Sequence, residues 1–66
     1  MIGKKIKEIR LAADLTQKKF GERIGIKPDF VSHLERGKAY PSYLLLEKII
    51  DEFNVDTKWL FNKDKK

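Results

Sequence analysis

The sequence predicts an all-α domain of five helices, and three observations carry that prediction. Apolar residues recur at spacings of three and four, as at Ile2, Ile6 and Ile9 and again at Leu46, Ile49, Ile50 and Phe53. That is the period of a helix with one buried face. Helix-start signals recur too: a capping residue stands between one apolar residue before it and another four residues inside. Residues that take up left-handed backbone at little cost, Gly25, Gly37 and Asn54, stand where such helices would end. The five segments together cover about three quarters of the chain, against the usual third.

Helix one is expected from about Gly3 to Ala13, with Ile2, Ile6, Ile9 and Ala13 as its apolar stripe. Lys4, Lys5, Lys7 and Glu8 take the wet side, and Arg10 lies at the stripe's edge. Helix two runs from Gln17 to Ile24. Thr16 caps it, and Leu15 and Phe20 form a hydrophobic staple. Gly21 is small where a second helix crosses closely, and Gly25 ends the helix. Helix three runs from Pro28 to about Arg36. Lys27 is a poor cap, so this start relies on Pro28, on an Ile26–Val31 staple and on Asp29 near the positive end of the dipole. Gly37 to Pro41 is a turn, because a proline disfavours helix at the residue before it. Ser42 caps helix four, which reaches about Phe53 and ends on Asn54. Asp56 caps a last short helix with Val55 and Leu60 as its staple. Residues 1–61 therefore read as one domain, and 62–66 as a flexible basic tail with no apolar anchor.

Composition narrows the function. Fifteen Lys and Arg against ten Asp and Glu leave a net charge of +5, which favours a polyanionic partner such as nucleic acid. No cysteine is present, which rules out disulfides and thiolate metal sites and fits a cytoplasmic location. No apolar run approaches the roughly 20 residues of a membrane span. One histidine, no Gly-rich phosphate loop and no paired carboxylates argue against an enzyme. No metal, cofactor or small-molecule ligand is expected.

The stretch from Thr16 to Gly37 is where these readings converge. Thr16-Gln17, the apolar set Phe20, Ile24, Ile26, Val31 and Leu34, the small Gly21, then Gly25, Ser32 and the exit Leu34-Glu35-Arg36-Gly37-Lys38 together resemble the phage-repressor and Cro-like helix-turn-helix proteins, the XRE family. The resemblance extends from Ile6 to Leu60. It implies a compact five-helix, lambda-repressor-like DNA-binding domain with the helix-turn-helix at helices two and three. It also implies that Arg10 pairs with Glu35, tying helix one to helix three; two unrelated surface charges are the alternative.

In a helix-turn-helix protein the second helix of the pair enters the major groove, and residues near its N-terminus meet base edges. The resemblance places base contacts at Pro28, Asp29, Ser32 and His33. His33 can donate to guanine O6 or N7, and Asp29 can accept from a cytosine amino group or only serve the helix dipole. Pro28 brings no side-chain donor where the family often has a polar reader. Phe30 either packs inward beside Ile26 as a core or half-core residue, the favoured reading, or touches a thymine methyl. Gln17 matches a phosphate contact of the family, beside the free N–H groups of a helix start. Lys18, Lys27, Arg36, Lys38, Tyr40 and Tyr43 supply further phosphate contacts, which set register and carry no base information.

Some apolar residues remain unaccounted for. Leu44 and Leu45 fall off the core stripe of helix four, and Trp59 and Phe61 flank Leu60 on a one-turn helix. A small monomer should not leave such a set wet. These four are therefore expected at a homodimer interface that sets two reading helices about 34 Å apart, unless Trp59 folds back over Leu15 or the helix-one stripe. The expected function is sequence-specific binding of double-stranded DNA by a dimeric transcriptional regulator acting as a repressor. The alternative is a protein-interaction module, such as an antitoxin or bridging factor on the same fold.

Overall fold

Helix starts follow the capping side chains. The computed structural model describes residues 2–61, and these form α1 (Ile2–Ala12), α2 (Gln17–Ile24), α3 (Pro28–Glu35), α4 (Tyr43–Phe53) and α5 (Thr57–Leu60). The Thr16 hydroxyl accepts from the Lys19 N–H at 3.1 Å, and the Ser42 hydroxyl from the Leu45 N–H at 3.1 Å. The Asp56 carboxylate accepts from the Lys58 N–H at 3.0 Å. Lys27 makes no side-chain capping bond, and α3 begins on Pro28 as the sequence requires.

Helix ends follow the left-handed residues. Gly25 has φ 81°, Gly37 φ 78° and Asn54 φ 53°. The Gly25 N–H returns to the Gly21 carbonyl at 2.7 Å, closing an orphan acceptor of α2. Asp14, at φ 60° in the turn between α1 and α2, is a left-handed position that no glycine or asparagine marks in the sequence. Asp tolerates that conformation better than most residues. Two boundaries are corrected. Helix α1 begins and ends one residue early, so Ala13 is exposed and off the stripe. Helix α3 stops at Glu35, with Arg36 as its C-cap. The tail expected at 62–66 lies outside the described residues.

Helix α3 is the hub. It packs against both α1 and α2, and α2 packs in turn against α4. Ile6, Ile9, Phe20, Ile24, Val31, Leu34, Leu46, Ile49 and Leu60 form the buried core. The Phe20 ring stacks on Phe53 with centroids 5.0 Å apart. Leu15, Ile26 and Val55, each just before a helix cap, pack against the core that contains their expected partners Phe20, Val31 and Leu60. Leu45 does so as well, which corrects its placement off the stripe. It is four residues before buried Ile49 and shares that face of α4.

Two glycines allow the crossings. A methyl group on Gly21 would run into the Ile26 carbonyl oxygen, and one on Gly3 into the Leu34 carbonyl oxygen. Gly21 thus lets the chain after the turn pass close to α2, and Gly3 lets α1 lie on the end of α3. Gly21→Ala should gain up to about 1 kcal/mol of helix propensity. The displaced backbone should outweigh that gain, for a net loss of about 1–3 kcal/mol. Thermal melts check this, and an unchanged or raised midpoint would show that the crossing has room.

Candidate nucleic-acid interface

The core face of α3 decides which side chains are left to act. Val31, Leu34 and Glu35 are buried, so the opposite side presents Pro28, Asp29 and His33 exposed and Ser32 half-buried. Spacings of three and four put these four on one continuous surface. Phe30 is 37% exposed and is not among the residues packed on the core, so it is not a core residue, although most of its surface is covered. It adjoins buried Val31 and stands four residues before buried Leu34, which puts it at the edge between the inner and outer faces of α3.

Cations flank this surface at both ends. Lys27 stands at the N-terminus of α3, and Arg36 and Lys38 follow its C-terminus, all exposed. The turn after α3 folds back on the helix, where the Lys38 N–H donates to the His33 carbonyl at 2.8 Å and the Ala39 N–H at 3.3 Å. Lys38 is therefore held next to the helical turn that carries His33. Tyr40 and Tyr43 are 81% and 73% exposed. Lys18 is exposed and Gln17 half-buried at the start of α2. The Thr16 hydroxyl occupies the Lys19 N–H, which leaves the Gln17 and Lys18 N–H groups without an acceptor inside the helix.

Behind the surface lies one buried ion pair. Arg10 Nε donates to Glu35 Oε2 at 2.7 Å and Arg10 Nη2 to Oε1 at 3.1 Å, with the two side chains 11% and 4% exposed. Arg10 Nη1 also donates to the Leu15 carbonyl at 2.9 Å. Gln17 Nε2 donates to the same Glu35 Oε1 at 3.1 Å. No buried side-chain polar atom among the described residues lacks a partner. The Arg10–Glu35 pair matches the expectation from the resemblance. The Gln17 bond had no signal in the sequence, since its partners lie 18 residues apart.

The apolar residues expected at a dimer contact are divided by the structure. Leu44 is 72% and Phe61 52% exposed, and Leu45 packs into its own core. Trp59 rests beside α1, where Lys5 Nζ lies 5.3 Å from the ring centroid and donates to the Trp59 carbonyl at 2.6 Å. Its hydrogen-bond and cation–π partner is thus Lys5 of the wet side of α1 rather than Leu15 or the apolar stripe, and Trp59 stays 37% exposed. Among the described residues no helix is long and apolar enough to cross a membrane, and no cluster of His, Asp or Glu could hold a metal ion.

Two short helices crossing at a glycine, the second exposing polar residues between cations, define a helix-turn-helix unit. The helix-turn-helix family model matches residues 6–60, and the chain belongs to that family. It is 38% identical over 65 residues to the antitoxin PezA of Streptococcus pneumoniae, covering 98% of this chain and 41% of the antitoxin. It is 36% identical over 63 residues to the HTH-type transcriptional regulator ImmR of Bacillus subtilis, covering 96% of this chain and 50% of that protein. It is 37% identical over 59 residues to the HTH-type transcriptional regulator YgzD of Bacillus subtilis, covering 85% of this chain and 89% of that one. The chain thus spans about half or less of the first two relatives and most of the third. The P22 c2 repressor protein, solved in complex with the synthetic operator 9T, superposes with a TM-score of 0.83 over 97% of both chains. At 20% identity, that likeness shows the lambda-repressor-like fold.

Proposed function

We propose that this chain binds double-stranded DNA in a sequence-specific way, as a transcriptional regulator of the repressor type. The observation that carries the reading is the outer surface of α3. Pro28, Asp29, Ser32 and His33 are presented together, with Lys27 at one end and Lys38, anchored on His33's own carbonyl, at the other. Such a helix enters the major groove with base readers between phosphate contacts. Gln17, Lys18, Arg36, Tyr40 and Tyr43 complete the phosphate set. Leu44 and Phe61, with the open part of Trp59, are the surface available to a second copy on DNA. The relatives described as transcriptional regulators support this reading.

Selection from a random double-stranded DNA library at about 0.15 M salt tests it. An inverted repeat with half-sites about one helical turn apart is the expected product. A single short half-site would keep the reader and remove the dimer. A pool that binds only at low salt without enrichment would leave the non-specific phosphate term alone. That outcome would favour the second reading, a module that holds another protein, which the antitoxin relative supports.

Within the selected site, His33→Ala should lose about 1–3 kcal/mol and relax a single base position. Repeating the selection with the variant checks this, and an unchanged base preference would remove His33 from the readers.

A further inference from the structure

We propose that Glu35, which cannot itself reach DNA from its buried place, is a positioning residue for DNA binding that holds the Gln17 amide ready for a phosphate. This rests on the reading of Gln17 as a phosphate contact. Glu35 Oε1 accepts from Gln17 Nε2 at 3.1 Å and from Arg10 Nη2 at 3.1 Å. An amide nitrogen carries two hydrogens. One is engaged by Glu35, and the other remains for an acceptor outside the protein. Gln17 is the first residue of α2, where the Gln17 and Lys18 N–H groups have no acceptor inside the helix.

The arrangement has two physical consequences. A free glutamine side chain samples many rotamers and loses them on binding, whereas one already held by an acceptor has made that loss during folding. A bare carboxylate so close to a phosphate site would repel the DNA. Arg10 removes that penalty by covering both carboxylate oxygens. Arg10 also grips the Leu15 carbonyl, so the turn leading into the Thr16 cap is fixed by the same group. Glu35 lies on α3, so a single buried carboxylate sets the phosphate-contacting end of α2 against the reading helix.

A four-way comparison tests the proposal. Gln17→Ala is made in the native chain and in the Arg10→Met, Glu35→Leu double variant, which exchanges the buried pair for apolar side chains. DNA affinity and its salt dependence are measured on protein shown to be folded by circular dichroism. In the native chain Gln17→Ala should weaken binding about five- to tenfold, and in the double variant less than about twofold, as coupled members of one network do. Equal losses in both backgrounds would overturn the positioning role and leave Gln17 as an independent contact. No loss in either would instead remove Gln17 from the phosphate set, and the proposal with it.

A second measurement needs no folded variant. Gln17 is the only glutamine in the chain, so its side-chain NH2 gives one pair of NMR signals, assigned apart from those of Asn54 and Asn62. An order parameter near the rigid value of about 0.85 in the DNA-free protein is expected; a value below about 0.6 would overturn the proposal.

Discussion

Replacing Arg10 with alanine is expected to destabilise the domain by about 3–5 kcal/mol, the cost of leaving one member of a buried ion pair without its partner. Glu35 is 8% exposed as a residue. Without the guanidinium it would keep only the Gln17 amide as a donor, and the Leu15 carbonyl would lose its Arg10 bond. A 66-residue domain holds in total only about 3–10 kcal/mol, so the variant should be largely unfolded at moderate temperature. Thermal melts followed by circular dichroism should show a midpoint at least about 15 °C lower. The Arg10→Met, Glu35→Leu double variant should recover most of the loss, because the charge and the cavity are removed together. The Arg23–Glu52 pair is the internal control. It is as short, at 2.6 Å, but its side chains are 47% and 38% exposed. Glu52→Ala should therefore shift stability by only about 0–1 kcal/mol. Similar losses for the two pairs would refute the assignment of the Arg10–Glu35 effect to burial.

Binding of one copy to DNA should weaken about 150-fold between roughly 50 mM and 200 mM monovalent salt. The four cations Lys18, Lys27, Arg36 and Lys38, at about −0.9 each, give a log–log slope of about −3.6 for one copy. The full set of candidate contacts is Gln17, Lys18, Lys27, Arg36, Lys38 and the two tyrosines. Of these, Gln17 and the tyrosines contribute hydrogen bonds without net charge and add nothing to the slope, so a shallower slope would remove one or more of the four cations from the contact set. Removing one cation should be visible against this slope. Lys38→Ala should make it shallower by about 1 and weaken all sequences alike, since a phosphate contact reads no base. Titration of the variant against the selected site and an unrelated duplex measures both quantities. A loss confined to the selected site would make Lys38 a reader. That outcome is physically open, because the Lys38 N–H is bonded to the carbonyl of His33, close to the reading surface.

Much of this fold was legible in the chain because its start and stop signals are local. Thr16, Ser42 and Asp56 cap N–H groups two or three residues away, and Gly25, Gly37 and Asn54 take their left-handed conformations within a single turn. Core residues such as Ile6, Phe20, Val31 and Ile49 announced themselves by helical period. The outer face of α3 followed by subtraction, once its inner face was known. The Arg10–Glu35 pair came from the resemblance; no spacing rule connects residues 25 apart.

What the tertiary structure alone decided lies between elements. Gly3 looked like the start of a helix, and it is a crossing point only because α1 lies on the last carbonyls of α3. Leu45 looked spare by period alone yet packs on the core, and Phe30 lies at the edge of α3, outside that core. Trp59 met Lys5 across 54 residues of chain, and Gln17 met Glu35 across 18. Capping and periodicity act over a few residues, so the sequence by itself determined the helices, their ends and their inner faces. The relative rotation and approach of those helices depend on the packing of the whole core, and only the folded chain could place Glu35 between Arg10 and Gln17.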